Sequence, residues 1–325
     1  MSIKSRFHFY AAEKITIAYI LITWLILLCM RFESYPVQKL IHARTLILCV
    51  IFGLTYLSSK FNLKFIRFVR FLFVGALLSY WYPETYEFNR HLPNCDHILS
   101  VWEQYVFGCQ PAILFAKTFP QAWLCEIFNL GYFSYYPLII GSSLIFLFKE
   151  RFYFEKFFFK LMFSFFVFYL IYILFPTSGP QYYFTVIGEK AAMSGVFPRI
   201  GDYFNNHSVS IENCNVSGIF QQMVEYTQKV GERPTAAFPS SHVGISTLIM
   251  IMLFDKRKYI AGFMILPLYI ALVFATVYIQ AHFVIDVIAG FVCAFVLNFV
   301  SSKAYDMFVV RQGTHLLFSH PVNRK

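Results

Sequence analysis

Charge is what this chain has least of. Only 14% of its 325 residues are Asp, Glu, Lys or Arg, against 58% hydrophobic, where a soluble domain carries roughly 25% charged residues; water is not its main solvent. It also lacks any Gly/Ser-rich or charged linker between its apolar runs, which argues for one membrane domain with no separate soluble module. No small-residue cleavage site follows the first apolar run, where Arg31, Phe32 and Glu33 stand instead, so the run is read as a retained span rather than a removed signal peptide. The seven cysteines show no metal-type spacing, and Cys29, Cys49 and Cys293 fall in apolar runs where a small hydrophobe suffices. A net charge of +10 does not point to nucleic acid, because the basic residues sit in short segments flanking apolar runs, where they act as topology signals. No internal repeat is visible.

Run length and flanking charge predict an all-α, polytopic helical bundle with about eight spans, at 15–30, 45–59, 65–82, 127–148, 157–175, 239–254, 259–278 and 283–302. Lys and Arg divide unequally between the two sets of connections: 18 of 27 fall in 1–14, 60–70, 149–160, 255–258 and 303–325, and the other nine in the opposite set although it is longer. That asymmetry predicts cytoplasmic termini in a plasma or inner membrane. The expected organisation is N-terminal spans with an outer segment over 1–126, a catalytic core over 127–302 and a cytoplasmic tail over 303–325. Two outer segments, 83–126 and 176–237, are too long for turns. The first, with Trp102, Tyr105, Phe107, Leu114 and Phe115 among polar residues, reads as an interfacial or re-entrant helix; the second reads as a structured cap. Trp81, Tyr82, Tyr182 and Tyr183 are expected in an outer aromatic belt, and the aromatics of 152–168 in lipid-facing and interhelical packing. Cys95 and Cys109, both in an outer and oxidising segment, are expected to pair, with Cys214 as a competitor.

Most histidines fall in tails or loops, but His242 and His282 each stand at the outer mouth of a span. Phe238-Pro239-Ser240-Ser241-His242 reads as a helix start, whose unbonded N–H groups, dipole and two hydroxyls suit an anion such as phosphate. His282 is followed four residues on by Asp286, and a helix over that interval would set both on one face. An intramembrane carboxylate needs a reason; accepting a hydrogen bond from the imidazole would fix the tautomer and leave the other ring nitrogen as a base or nucleophile. Singly these residues have plain readings, an interfacial histidine and a serine N-cap, but together on one side of the membrane they read as a site.

Pro239-Ser240-x-His242 and His282-x-x-x-Asp286 resemble the second and third motifs of the type 2 phosphatidic acid phosphatase superfamily, over about 175–290. The resemblance implies a phosphatidic acid phosphatase-like helical core, with His282 as a nucleophile that forms a phosphohistidine, Asp286 as its orienter, His242 as general acid and Ser240 as a phosphate donor, to which the helix-start reading adds the Ser241 hydroxyl. The chain departs from the family pattern in having Ala275-Thr276 where the third motif opens with Ser-Arg. The first motif is half present as Arg233-Pro234, with Tyr226 where lysine is expected. These departures, and Phe175 to Pro180, are similar to the inositol phosphorylceramide synthase branch, which moves a phospho-alcohol headgroup between lipids. The function expected is therefore a membrane lipid phosphotransferase or phosphatase, with a lipid phosphoester as substrate, a lipid or water as acceptor, no cofactor and no nucleic acid. Arg233 is the expected substitute phosphate cation. A lipid phosphate phosphatase, a metal site built on two histidines and a carboxylate, and a non-catalytic lipid-binding or transport protein on the same scaffold are the alternatives.

Overall fold

The computed structural model describes residues 7–29, 37–61, 64–209 and 218–310. Lys4, Arg6, Arg31 to Glu33, Cys214 and most of the expected tail lie outside the described residues. Every regular element among the described residues is a helix: α1 Ala11–Cys29, α2 Val37–Phe61, α3 Lys64–Asn89, α4 Asp96–Phe107, α5 Pro111–Thr118, α6 Ala122–Phe133, α7 Tyr135–Lys149 and α8 Arg151–Leu174. There follow α9 Pro180–Ile187, α10 Glu189–Met193, α11 Tyr203–Asn206, α12 Ile219–Gly231, α13 Ser241–Asp255, α14 Tyr259–Tyr278 and α15 Val284–Val310.

Six of these helices are long and apolar enough to cross a membrane, or seven if α6 and α7, bent by 44° at Ser134, form one broken span. This corrects the expected eight. The helix expected over 239–254 has 15 residues, about 22 Å at 1.5 Å per residue, short of the roughly 30 Å hydrocarbon core, and its residues from Val243 to Met250 are all buried. The last helix runs to Val310, so the segment from 303 expected as tail begins in helix.

The chain divides into two interleaved units. The first comprises residues 1–80, 146–166 and 300–325, the second 81–145 and 167–299. In the first, Tyr19 stacks on Phe166 at 4.4 Å, Phe71 meets Phe158 edge-on at 5.4 Å and Phe159 packs on Tyr305 at 5.4 Å. Phe158, Phe159 and Phe166 of α8 thus pack between helices, as expected of part of this aromatic run. Arg70 holds Glu13 through two nitrogens at 2.7 and 2.5 Å with both side chains 2% exposed, since a buried charge survives only when paired.

The second unit contains every predicted site residue. Its α14 packs along α6 so closely that a Cβ on Gly131 would lie 2.6 Å from the Ala271 carbonyl carbon. The expected interfacial segment is α4, whose Trp102 and Tyr105 are exposed while Asp96, Leu99, Ser100 and Glu103 are buried. Phe115 instead packs on Phe128 and Tyr278. The expected aromatic belt fails at three positions, since Trp81, Tyr182 and Tyr183 are buried. The expected disulfide also fails: Cys95 and Cys109 are unpaired among the described residues and stand at opposite ends of the 12-residue α4, about 18 Å apart, where a disulfide needs Cα atoms within roughly 7 Å.

Candidate active site

The site is assembled on the segment from Pro176 to Pro180, which Pro176 and the glycine at 179 keep out of helix. Thr177 accepts the Ala237 N–H on its carbonyl at 3.2 Å and the Phe238 N–H on its hydroxyl at 2.9 Å, while Gln181 N–H donates to the Gln280 carbonyl at 2.7 Å. One segment thus fixes the approaches to both histidines. Gly179 has φ +85°, and a Cβ there would meet the Ala281 carbonyl oxygen at 2.5 Å, so neither the backbone conformation nor the space admits a side chain. Asp96 anchors the segment, accepting the Ser178 N–H and hydroxyl at 2.7 and 2.5 Å and the Gly179 N–H at 2.9 Å. Burial raises its carboxyl above the usual range in spite of these bonds.

His282 sits in the turn between α14 and α15 and is 3% exposed. Its N–H donates to the Thr276 carbonyl at 2.9 Å, so the residue standing where an arginine was expected holds the turn. Its ring Nδ1 is 2.8 Å from the Ala237 carbonyl oxygen and 3.6 Å from Asp286 Oδ2. A carbonyl cannot donate, so Nδ1 carries the proton, and Nε2 presents its lone pair toward His242 Nδ1, 3.4 Å away. Burial pulls the imidazole down to about 4, against the Ala237 bond and the Glu232 charge, which raise it; the ring is neutral at physiological pH.

Asp286 is not one helical turn along from His282, as the spacing suggested, because α15 begins only at Val284. Its Oδ2 accepts the Phe283 N–H at 2.8 Å, the back-bond of a capping box, and its carbonyl accepts the Ser240 N–H at 3.0 Å. The hydrogen bond of His282 Nδ1 is thus to the Ala237 carbonyl, with Asp286 Oδ2 farther off at 3.6 Å and bonded to the turn. The other Asp286 oxygen, Oδ1, has no hydrogen-bond partner among the described residues.

Ser240 is the N-cap of α13, its hydroxyl oxygen accepting the Val243 N–H at 3.3 Å, which places Pro239 before the helix rather than in its first turn. The Ser241 N–H is taken by the Tyr172 hydroxyl at 3.1 Å. Ser240 keeps its own O–H to donate, while three of the N–H groups at this helix start, those of Ser240, Ser241 and Val243, are already engaged. Gly290 on α15 makes room, since a Cβ there would lie 2.3 Å from the Ser240 carbonyl oxygen. The His242 ring lies between Tyr132, stacked at 4.6 Å, and Tyr135 at 4.4 Å.

Arg233 is exposed, and its guanidinium donates to the Glu232 carbonyl at 2.8 Å. The position matching the first-motif lysine, Tyr226, is also exposed, on α12. The group that reaches inward is Glu232, whose carboxylate accepts from the Tyr132 hydroxyl at 2.8 Å and Gln181 Nε2 at 3.1 Å and is raised by burial.

Sequence reasoning passed over Asp96, Glu103 and Glu232. Glu103 is fully buried, with Oε1 unpartnered among the described residues and Oε2 3.4 Å from the Ile285 nitrogen at the start of α15. Burial first, and the neighbouring Asp286 charge second, push it up to about 8. The signal was available: Asp96, Ser100 and Glu103 recur at helical spacing opposite Trp102 and Tyr105, so either the polar or the aromatic face had to point inward. Among the described residues no three His, Cys, Asp or Glu side chains gather as metal ligands.

Membrane-length helices and, at two helix starts, a buried His282 beside a half-buried His242 are the features of a polytopic membrane protein with a candidate histidine site. The sequence profile of the PAP2 superfamily matches residues 97–300, more than half the chain, and the chain belongs to that superfamily. It is accordingly an enzyme of phosphatase or phosphotransferase type. The match begins upstream of the expected 127 boundary and takes in α4 with Glu103. No curated protein and no solved structure matches the chain.

Proposed function

We propose that the protein cleaves a lipid phosphoester through a phosphohistidine on His282 and passes the phospho-headgroup to a lipid alcohol, in the manner of inositol phosphorylceramide synthases. The observation that carries this is the histidine pair: Nδ1 of His282 is committed to the Ala237 carbonyl, so Nε2 carries the lone pair, with His242 at 3.4 Å. Nε2 attacks phosphorus, the phosphorus–oxygen bond to the leaving alcohol breaks, and His242, which takes up a proton as the anionic phosphoester enters, gives that proton to the leaving oxygen. An acceptor hydroxyl then attacks phosphorus, the nitrogen–phosphorus bond breaks, and His242 takes the acceptor's proton. Ser240, with Ser241, donates to the phosphoryl oxygens, Arg233 meets the headgroup from the rim and Asp286 steadies the turn. The Lys and Arg asymmetry supports a site opening on the non-cytoplasmic face with both termini cytoplasmic.

The test is trapping of an acid-labile, phosphorus-labelled adduct from lipids with good leaving groups. His282→Ala should give none, while His242→Ala should form it slowly, because an acid matters less when the leaving oxygen needs no proton. Equal and complete loss in both variants contradicts these roles. Lipid extracts from cells with and without the gene separate transfer from hydrolysis: a vanished headgroup class supports transfer, and release of inorganic phosphate alone identifies a lipid phosphate phosphatase.

A further inference from the structure

The helix α12 is built inside out. Gln221, Val224 and Gln228 are its buried residues. At about 100° per residue the side directly opposite carries Ile219, Met223, Tyr226 and Val230, which are 71%, 40%, 70% and 61% exposed. Gln222, Glu225 and Lys229, all exposed, occupy one flank between the two faces. An amphipathic helix on a water-facing surface turns such an apolar stripe toward the core; this one turns it away from the protein.

Both ends of α12 are tied to α6. Glu126 accepts the Phe220 and Gln221 N–H groups, each at 3.1 Å, and beyond the last turn Glu232 accepts from the Tyr132 hydroxyl. With α7, α6 makes the bent pair that is long and apolar enough to cross a membrane, and its Trp123 and Ile127 are 63% and 45% exposed. The α12 stripe therefore stands on a helix that itself shows apolar side chains to the bilayer. Tyr132, which ties the C-terminal end, is the ring stacked on His242.

We infer that α12 lies in the boundary between headgroups and acyl chains, with Ile219, Met223, Tyr226 and Val230 in lipid and Gln222, Glu225 and Lys229 at headgroup level, as the sill over which a lipid substrate reaches the histidines. The lipid role rests on the proposed reading of the site. A sill of this kind lets the phosphoester rise to His282 while the acyl chains stay in hydrocarbon, which avoids exposing them to water.

The test compares Met223→Glu and Val230→Glu with wild type in the full-length enzyme, on a long-chain lipid phosphoester in phosphatidylcholine vesicles and on a short-chain, water-soluble analogue. The expected result is a loss of about tenfold in kcat/KM on the vesicle substrate, from carboxylates placed against the acyl region, with the soluble analogue little changed. Equal losses on both substrates, or none on either, overturn the proposal. A bimane label on Tyr226→Cys, in a background without native cysteines, should be quenched by lipids spin-labelled near the headgroup. No quenching, or cross-linking of that cysteine between two copies of the chain, overturns it as well. If His282→Ala keeps activity on both substrates, the catalytic reading fails instead, and the quenching still decides whether α12 lies in the bilayer.

Discussion

Replacing Gly290 by alanine asks whether the start of α13 belongs to the machinery. The added methyl would lie 2.3 Å from the Ser240 carbonyl oxygen, 3.2 Å from its carbonyl carbon and 3.3 Å from its Cβ. Backbone cannot swing aside as a flexible side chain can, so α13 and α15 must separate by about 0.7 Å to restore even a tight contact of 3.0 Å. The Ser240 N–H bond to the Asp286 carbonyl, 3.0 Å long, spans the same gap and would stretch with it. Overpacking of this kind costs about 1–3 kcal/mol in stability. Its larger effect should be on rate, since a misplacement near 1 Å in a preorganised site costs about 100-fold, and here it moves Ser240 and His242 relative to the turn that carries His282. The assay is initial-rate turnover of a lipid phosphoester by purified protein, normalised to the folded fraction measured by thermal melting in detergent. Gly290→Ala with full turnover and an unchanged melting temperature would refute the reasoning, because it would mean that the contact between the two helices does not set the geometry of the site.

Three further outcomes follow from the same geometry. Glu103 has its folded pKa raised to about 8, so it favours the folded state fully below its ordinary value of about 4.5 and loses that contribution as pH rises through about 8; melting temperature should fall across this window in wild type and more shallowly in Glu103→Gln, and parallel curves would count against it. Arg233→Ala should lower turnover at least tenfold if its exposed guanidinium is the headgroup cation; a strong effect of Arg199→Ala or Lys229→Ala with a weak one at Arg233 would transfer the role. Single cysteines at Ser208 and Lys258, in a background without native cysteines, should label from outside intact cells with an impermeant maleimide at 208 and not at 258; the reverse pattern inverts the sidedness.

What was legible in the sequence was whatever single residues announce by their cost in lipid. Long apolar runs gave the helical class, and two histidines with a carboxylate at span mouths gave the residues that the fold brings together. Contacts made by backbone were not legible. Nothing at Ala237 announces that its carbonyl orients His282, and nothing at Thr276 announces that its carbonyl holds the turn, because any residue supplies those atoms. The spacing of His282 and Asp286 was read as one helical turn, yet the Phe283 cap starts α15 after the histidine, so a capping pattern and a helical face had the same sequence signature. The aromatic belt was misplaced for a similar reason: composition marks Trp81 and Tyr183 as interfacial residues, but only packing tells lipid from protein interior.

The carboxylates of the second unit share a role that a search for catalytic acids overlooks. Asp96 takes N–H groups from Ser178 and Gly179, Asp286 from Phe283, Glu103 from Ile285 and Glu126 from Phe220 and Gln221. Each tie ends a loop or caps a helix start, where backbone donors have no intrahelical acceptor and the bilayer supplies no water to replace one. Carboxylates suit this task because the positive end of a helix dipole and charge-assisted bonds offset part of their desolvation. Among the described residues of this unit no lysine or arginine is buried, so these carboxylates are met by backbone N–H groups rather than by buried ion pairs. A phosphoester entering such a site therefore meets hydroxyl and imidazole donors first and a full cation only at the rim. Under the proposed reading that arrangement would suit a singly charged phosphodiester better than a dianionic phosphate monoester, whose second negative charge meets no buried cation among the described residues of this unit.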